Sequence, residues 1–126
     1  MIHVLLDTNI VLWLAWDNPR VNQIKPMLLT QENKVFISVA SWWEIAAKIR
    51  SGKFKFDMKE LFDYAQKHGF TELPLTSDCL KAYLELSSIH KDPFDHMLLA
   101  QALTFPMRLI TGDSLLADYS SLVMVI

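Results

Sequence analysis

The chain has a single cysteine, Cys79, three glycines, Gly52, Gly69 and Gly112, and no apolar run longer than the seven residues Ile10–Trp16. Each scarcity excludes something. A lone cysteine forms no internal disulfide, so a disulfide-stapled secreted fold is ruled out and a reducing compartment fits. Its simplest role is that of a small buried apolar residue. The longest apolar run is far short of the ~20 residues that a spanning helix needs. Ile2–Leu6 is too short for a signal-peptide core and ends in an acid. A soluble, cytosolic protein with no membrane association is the expectation. Few glycines leave little room for flexible joints, and no repeat or low-complexity tract interrupts the chain. His3, His68, His90 and His96 are scattered, without zinc-ligand spacing. The net charge of −2 excludes a polycation that grips nucleic acid by bulk charge, so any such binding needs a local basic patch.

What is present suits one globular domain. The 126 residues are 52% apolar and 21% charged, enough to bury a core unaided. Ile2–Leu6 is a continuous apolar run of the kind that forms a strand buried on both faces. Helix follows over Asn9–Trp16, with Asp7 or Thr8 as its cap, and Asn18-Pro19 breaks it. A second helix is read over Arg20–Thr30, although Pro26 weakens it. Lys34–Ser38, Thr71–Leu75, Arg108–Thr111 and Leu122–Val125 read as further strands. Helices are predicted from Ser41 to Ser51, from Asp57 to Lys67, and over Ser77–Ser87 with an apolar face of Leu80, Tyr83, Leu84 and Leu86. Another starts at Asp92-Pro93, which has the cap-plus-proline pattern, and runs to Phe105; a short one is capped by Asp113. This β-α alternation argues for an α/β fold of three layers, helices covering both faces of a parallel sheet of four to five strands.

Four acids follow apolar stretches: Asp7 after Ile2–Leu6, Glu44 after Val35–Val39, Asp95 after Asp92-Pro93-Phe94, and Asp113 after Leu109-Ile110. Each alone is explained by helix capping. Asp7, Asp95 and Asp113 lie at or within a first helical turn, where an acid contributes ~0.3–1 kcal/mol through the helix dipole. Glu44, three residues after Ser41, has the capping-box position. Jointly they mean more. In a parallel sheet every helix that follows a strand starts at the same edge, which is where ligands bind. Capping is served as well by Ser, Thr or Asn, and carboxylates gathered at one edge repel unless a cation sits among them. Thr8 and Asn9 beside Asp7, and Thr111 and Ser114 beside Asp113, add hard oxygen donors of the kind that suit Mg²⁺ or Mn²⁺. Asp92 and Asp118 are secondary candidates, the first more simply a cap and the second a surface acid.

These segments resemble a known family. Val4-Leu5-Leu6-Asp7-Thr8-Asn9 is similar to the opening strand and first acid of a PIN domain. Ser41-Trp42-Trp43-Glu44-Ile45-Ala46-Ala47-Lys48 resembles its second-acid helix. Residues 92–102, Asp92-Pro93-Phe94-Asp95-His96 onward, resemble the third-acid segment of VapC-type toxins, and Leu109-Ile110-Thr111-Gly112-Asp113 the strand ending in the fourth. The resemblance implies one PIN-like domain over residues 1–126. It also implies a Mg²⁺- or Mn²⁺-dependent endoribonuclease leaving a 5′-phosphate and a 3′-hydroxyl, the toxin half of a bacterial toxin–antitoxin pair. Asp7, Glu44, Asp95 and Asp113 would hold one or two ions. It further implies a homodimer and an antitoxin whose tail crosses the active-site groove. One departure stands out: the family often has Arg after the third acid, where this chain has His96.

RNA needs a basic surface. Lys48, Arg50, Lys53, Lys55 and Lys59 fall within twelve residues that contain one acid, Asp57. Phe54 and Phe56 are interleaved and could stack bases; a solvated loop with its aromatics in the core explains the same pattern. Lys48 is also an i,i+4 partner for Glu44. His96 either contacts RNA, more strongly at low pH, or faces solvent one position around the helix from Asp95. Besides Trp13 and Trp16 there are adjacent tryptophans, Trp42 and Trp43, which cannot point the same way on a helix; one is expected to stay partly exposed, where aromatics favour interfaces. Two other readings compete. A haloacid-dehalogenase-type phosphatase needs a second Asp two residues after the first, where this chain has Asn9. A PIN-like scaffold without catalysis is opposed by the complete acid quartet.

Overall fold

The computed structural model describes residues 2–86 and 92–126. Five parallel strands, β1 (His3–Leu6), β2 (Lys34–Ser38), β3 (Thr71–Leu73), β4 (Arg108–Thr111) and β5 (Val123–Val125), form one sheet in the order β3-β2-β1-β4-β5. Six α-helices are described: α1 (Thr8–Ala15), α2 (Lys25–Leu28), α3 (Val39–Arg50), α4 (Met58–Lys67), α5 (Ser77–Glu85) and α6 (Pro93–Thr104). Two 3₁₀ turns, Pro19–Val21 and Ser114–Asp118, complete the described elements.

Side chains alternate across a strand, so β1 feeds two cores. Val4 and Leu6 join Val35, Ile37 and Ile110 under α1, α3 and α4, with Ile10, Leu14, Ile45 and Leu61. Leu5 points the other way and joins Leu109, Leu98, Leu99, Ala102 and Leu116. Each fully buried aliphatic side chain contributes ~1.5–3 kcal/mol, which fixes β1 at the centre of the sheet and fixes the expected three layers. Register then places the site. Leu6 pairs with Ile37 on one side and Ile110 on the other, so Asp7, Ser38 and Thr111 sit side by side at the carboxyl edge. No described helix is long and apolar enough to cross a membrane.

Several boundaries differ from the sequence reading, each for a local reason. The expected helix over Arg20–Thr30 is instead a 3₁₀ turn capped by Asn18, which accepts from the Arg20 amide at 2.9 Å, and the short α2. Pro26 falls in the first turn of α2, where its missing N–H costs nothing. The third helix starts at Val39 rather than Ser41. Ser38 Oγ accepts from the Ala40 amide at 3.0 Å and caps it. Glu44 therefore lies mid-helix and not in a capping box. Strand β3 stops at Leu73, before Pro74. Helix α5 is described to Glu85; Ser87, where the sequence reading ended it, and His90 lie outside the described residues. Of its expected apolar face, Leu80 and Leu84 are exposed, Tyr83 is half-buried and Leu86, just past the helix, packs on the second core; Cys79 is the buried residue of the helix. Asp92 and Asp57 cap α6 and α4 as expected.

Candidate active site

Asp7 stands at the cap position of α1, yet its side chain does not cap the helix. It is buried and accepts a hydrogen bond from Thr111 Oγ1 at 2.6 Å. Thr111 Oγ1 in turn accepts from the Asp113 amide at 3.0 Å, tying the first and fourth acid segments together. Burial holds the Asp7 carboxyl above the usual carboxylate range. Its hydrogen bonds from Thr111 and Thr8 oppose that shift, and the charges of Glu44 and Asp92 add to it. A carboxylate kept out of water among like charges is a group that a cation would satisfy.

Glu44 is buried in the middle of α3. Its Oε2 accepts from Lys48 Nζ at 2.9 Å, while Oε1 is buried with no hydrogen-bond partner among the described residues. Such an orphan costs ~1–3 kcal/mol, more for a charged group, so it calls for a reason. The first turns of α1 and α3 are pinned to each other, Thr8 Oγ1 donating to Ser41 Oγ at 3.0 Å between two buried residues.

The other candidates divide. Asp92 caps α6, accepting from the Phe94 amide at 2.9 Å, and its charge is felt at Asp7. It therefore stands closer to the site than a simple cap. Asp95 is buried in the first turn of α6, and Asp113, half-buried, caps its 3₁₀ turn through the Leu115 amide at 2.9 Å. Asn9, Ser114 and Asp118 are exposed. Among the described residues no group of three or more His, Cys, Asp or Glu side chains is placed to hold a metal ion. The donors are all oxygens. That set fits a hydrated Mg²⁺ or Mn²⁺, which keeps several waters and takes one or two carboxylates, better than zinc. The orphaned Glu44 oxygen and the desolvated Asp7 carboxyl supply the unmet demand for positive charge.

A groove of about 350 Å³ opens beside Glu44, lined by Lys48, Ser51, Lys53, Asp92 and Phe94. Arg50, Lys53 and Lys55 are exposed, whereas Lys59 is paired with Asp63 at 3.0 Å. Phe54 and Phe56 pack on Trp16, with ring centres 5.9 and 5.4 Å away, so they brace the loop. His96 does not face open solvent. It is half-buried between Tyr83 and Tyr119, with the Tyr119 hydroxyl 3.3 Å from Nε2. Trp42 is buried against Phe62 and its neighbour Trp43 is exposed against Phe94, as adjacent helical positions require. One structural residue escaped the sequence reading. A Cβ at Gly112 would come within 2.6 Å of the Trp13 indole, so glycine here lets the turn before Asp113 lie against α1.

A parallel sheet with acids at its carboxyl edge, Asp7 and Asp113 just past β1 and β4 and Glu44 within the helix after β2, defines an open-sheet α/β fold of the class in which ligands bind at that edge. Within that class the sequence profile of the PIN domain matches residues 4–122, and the chain belongs to the PIN-domain family. No curated protein matches it by sequence. Among solved structures it is similar to a chain of the VapBC2 complex from Rickettsia felis, bound to a promoter DNA fragment, with TM-score 0.76, 17% identity and coverage of 99% of this chain and 98% of the other. A toxin–antitoxin complex from Klebsiella pneumoniae follows at TM-score 0.68 and 20% identity, covering 97% and 96%. FitAcB from Neisseria gonorrhoeae gives 0.59 and 21%, covering 96% of each. At these identities the likeness is one of fold.

Proposed function

We propose that this PIN domain is a Mg²⁺- or Mn²⁺-dependent endoribonuclease, the toxin of a toxin–antitoxin pair acting in the cytoplasm. The observation that carries the reading is two buried carboxylates whose charges oppose each other, Asp7 desolvated and Glu44 with one buried oxygen that has no hydrogen-bond partner among the described residues. Asp7, Glu44, Asp95 and Asp113 would hold the ion, with Asp92 and Thr111 supporting them. When bound, the ion supplies water activation near neutral pH and neutralises charge on the scissile phosphate. Thr111 orients the Asp7 carboxylate through its 2.6 Å hydrogen bond. The Thr8–Ser41 bond keeps Asp7 and Glu44 in register. Lys48, Lys53 and, at the rim, Arg50 and Lys55 would hold the RNA backbone, while His96, tied to Tyr119, would contribute next to Asp95. The test is cleavage of a mixed tRNA and rRNA pool by protein stripped with EDTA and then given metal again. Discrete fragments that return with Mg²⁺ or Mn²⁺ support the reading; cleavage indifferent to EDTA opposes it.

If Lys53 and Lys55 touch phosphates, reversing their charge to Glu lowers the slope of log affinity against log salt by about 0.7 for each phosphate no longer neutralised. An unchanged slope would assign them to solubility alone.

The outer surface supports a reading of the partners. Trp43 and Leu80, 63% and 50% exposed, line an apolar cavity of about 260 Å³ with Ala40, Tyr83, Phe94 and Met97, and Leu84, one turn beyond Leu80 on α5, is 83% exposed. A two-fold contact needs projection and hollow on the same patch, and this face has both, which favours a homodimer. Leu84→Glu should convert a dimer to a monomer in sedimentation with unchanged circular dichroism; a wild-type monomer at micromolar concentration would refute the dimer. The solved relatives named as toxin–antitoxin complexes suggest an antitoxin as the second partner.

A further inference from the structure

Lys48 faces two ways. Its Nζ lies 2.9 Å from Glu44 Oε2 and 5.8 Å from the centre of the Phe54 ring, on the wall of the groove beside the acids. An exposed i,i+4 Glu–Lys pair is ordinary helix chemistry, stabilising by only ~0.2–0.5 kcal/mol. This pair is lopsided. The glutamate side chain is 10% exposed and the lysine 37%, and the second carboxylate oxygen is buried and bare. A carboxylate taken out of water and given one half-exposed counter-ion is only half satisfied. The ammonium has its own freedom, on a flexible stem with three donors. Its backbone does not. The Lys53 and Phe54 amides fold back onto the Lys48 carbonyl at 3.0 and 3.3 Å, so the residue stays at the groove wherever its head goes.

We infer that Lys48 neutralises Glu44 through Oε2 while Oε1 stays bare and, when a divalent ion takes that carboxylate, turns its ammonium to a phosphate oxygen of RNA in the groove. The inference rests on the nuclease reading above. Two cations compete for one carboxylate, and the divalent one wins at higher charge. The released ammonium then adds a positive charge to a groove that also holds Lys53. Metal loading thereby strengthens RNA binding without any movement of the backbone.

The test is a Mn²⁺ titration followed by the electron paramagnetic resonance signal of the free ion, on wild type, Lys48→Gln, Lys48→Arg and Asp7→Asn. With its competitor gone, Lys48→Gln binds Mn²⁺ about tenfold tighter, the scale on which an adjacent opposite charge shifts a carboxylate's occupancy. Lys48→Arg keeps the charge and binds as the wild type does. At saturating metal, Lys48→Gln raises KM for RNA with little change in kcat. Mn²⁺ binding by Lys48→Gln equal to or weaker than wild type overturns the exchange and leaves a plain helix pair. Absence of any Asp7-dependent Mn²⁺ binding in the wild type overturns the nuclease reading and this inference together.

Discussion

On the nuclease reading proposed above, Asp7→Asn is expected to lower RNA cleavage by about 10²–10³-fold or more, the loss typical when one electrostatic group is taken from a site of developing charge. It also makes the metal-free protein more stable. The sign follows from the direction of the shift. Burial raises the carboxyl's pKa in the folded protein, with the Glu44 and Asp92 charges adding to it. The folded state therefore binds the proton more tightly than the unfolded state, and stability falls as pH rises from the unfolded value of about 3.9 through the raised folded one. Above the raised pKa the wild type carries the cost of an ionised, desolvated Asp7, which asparagine avoids while accepting hydrogen bonds through one oxygen where the carboxylate has two. The variant should melt higher at pH 7, and the gap should close in acid, where Asp7 is neutral in both states. Mn²⁺ should reverse the order. Binding to the folded state alone stabilises by about 2.7 kcal/mol at a hundred times Kd, and that gain belongs to the wild type. Equal melting temperatures at neutral pH would contradict the burial argument.

The second large effect is structural. Gln101, fully buried in α6, ties three segments together. Its Oε1 accepts from Ser38 Oγ at 2.6 Å, and its Nε2 donates to the Pro74 carbonyl at 3.2 Å. Ser38 is the cap of α3, the helix that carries Glu44, and α6 carries Asp95. Gln101→Leu keeps the volume but leaves the buried Ser38 hydroxyl proton without its acceptor, although that oxygen still accepts from the Ala40 amide, and frees the carbonyl of the exposed Pro74. A buried donor left unpaired costs about 1–3 kcal/mol, so a loss of about 1–3 kcal/mol in urea unfolding is expected. Changing Ser38 to Ala in the Gln101→Leu background should cost less than in the wild type, because one orphan is then removed. A loss below about 0.5 kcal/mol for Gln101→Leu would show the network to be dispensable.

The strands were legible because apolar runs such as Val4–Leu6 and Leu109–Ile110 have few alternatives once the chain is long enough to bury them. Asp7 and Asp113 at the sheet edge were legible through topology, because parallel strands put the turns that follow them on one side; Asp95, on a helix that follows another helix, has no such rule. What escaped was settled by single atoms. Ser38, not Ser41, caps α3, because both serines precede the same apolar run and only three-dimensional packing commits Ser41 to Thr8. The leucines of α5 read as a core face by spacing, yet spacing says which residues share a face and not which way the face turns. The stacking role considered for Phe54 and Phe56 ends against Trp16, a contact across more than thirty residues that no local pattern encodes. Asp92 carried an ordinary cap signature, and its electrostatic link to Asp7 needs the fold to be seen. The Glu44–Lys48 spacing was visible; the burial that makes it unusual was not.

The most direct test of the central claim is cleavage of a mixed tRNA and rRNA pool by wild type and Asp7→Asn in parallel, each with Mg²⁺ or Mn²⁺ and with EDTA. Discrete fragments that require both the metal and Asp7 are the predicted result. Cleavage that survives either EDTA or the Asp7→Asn change, in folded protein, would contradict a metal-dependent ribonuclease built on these carboxylates.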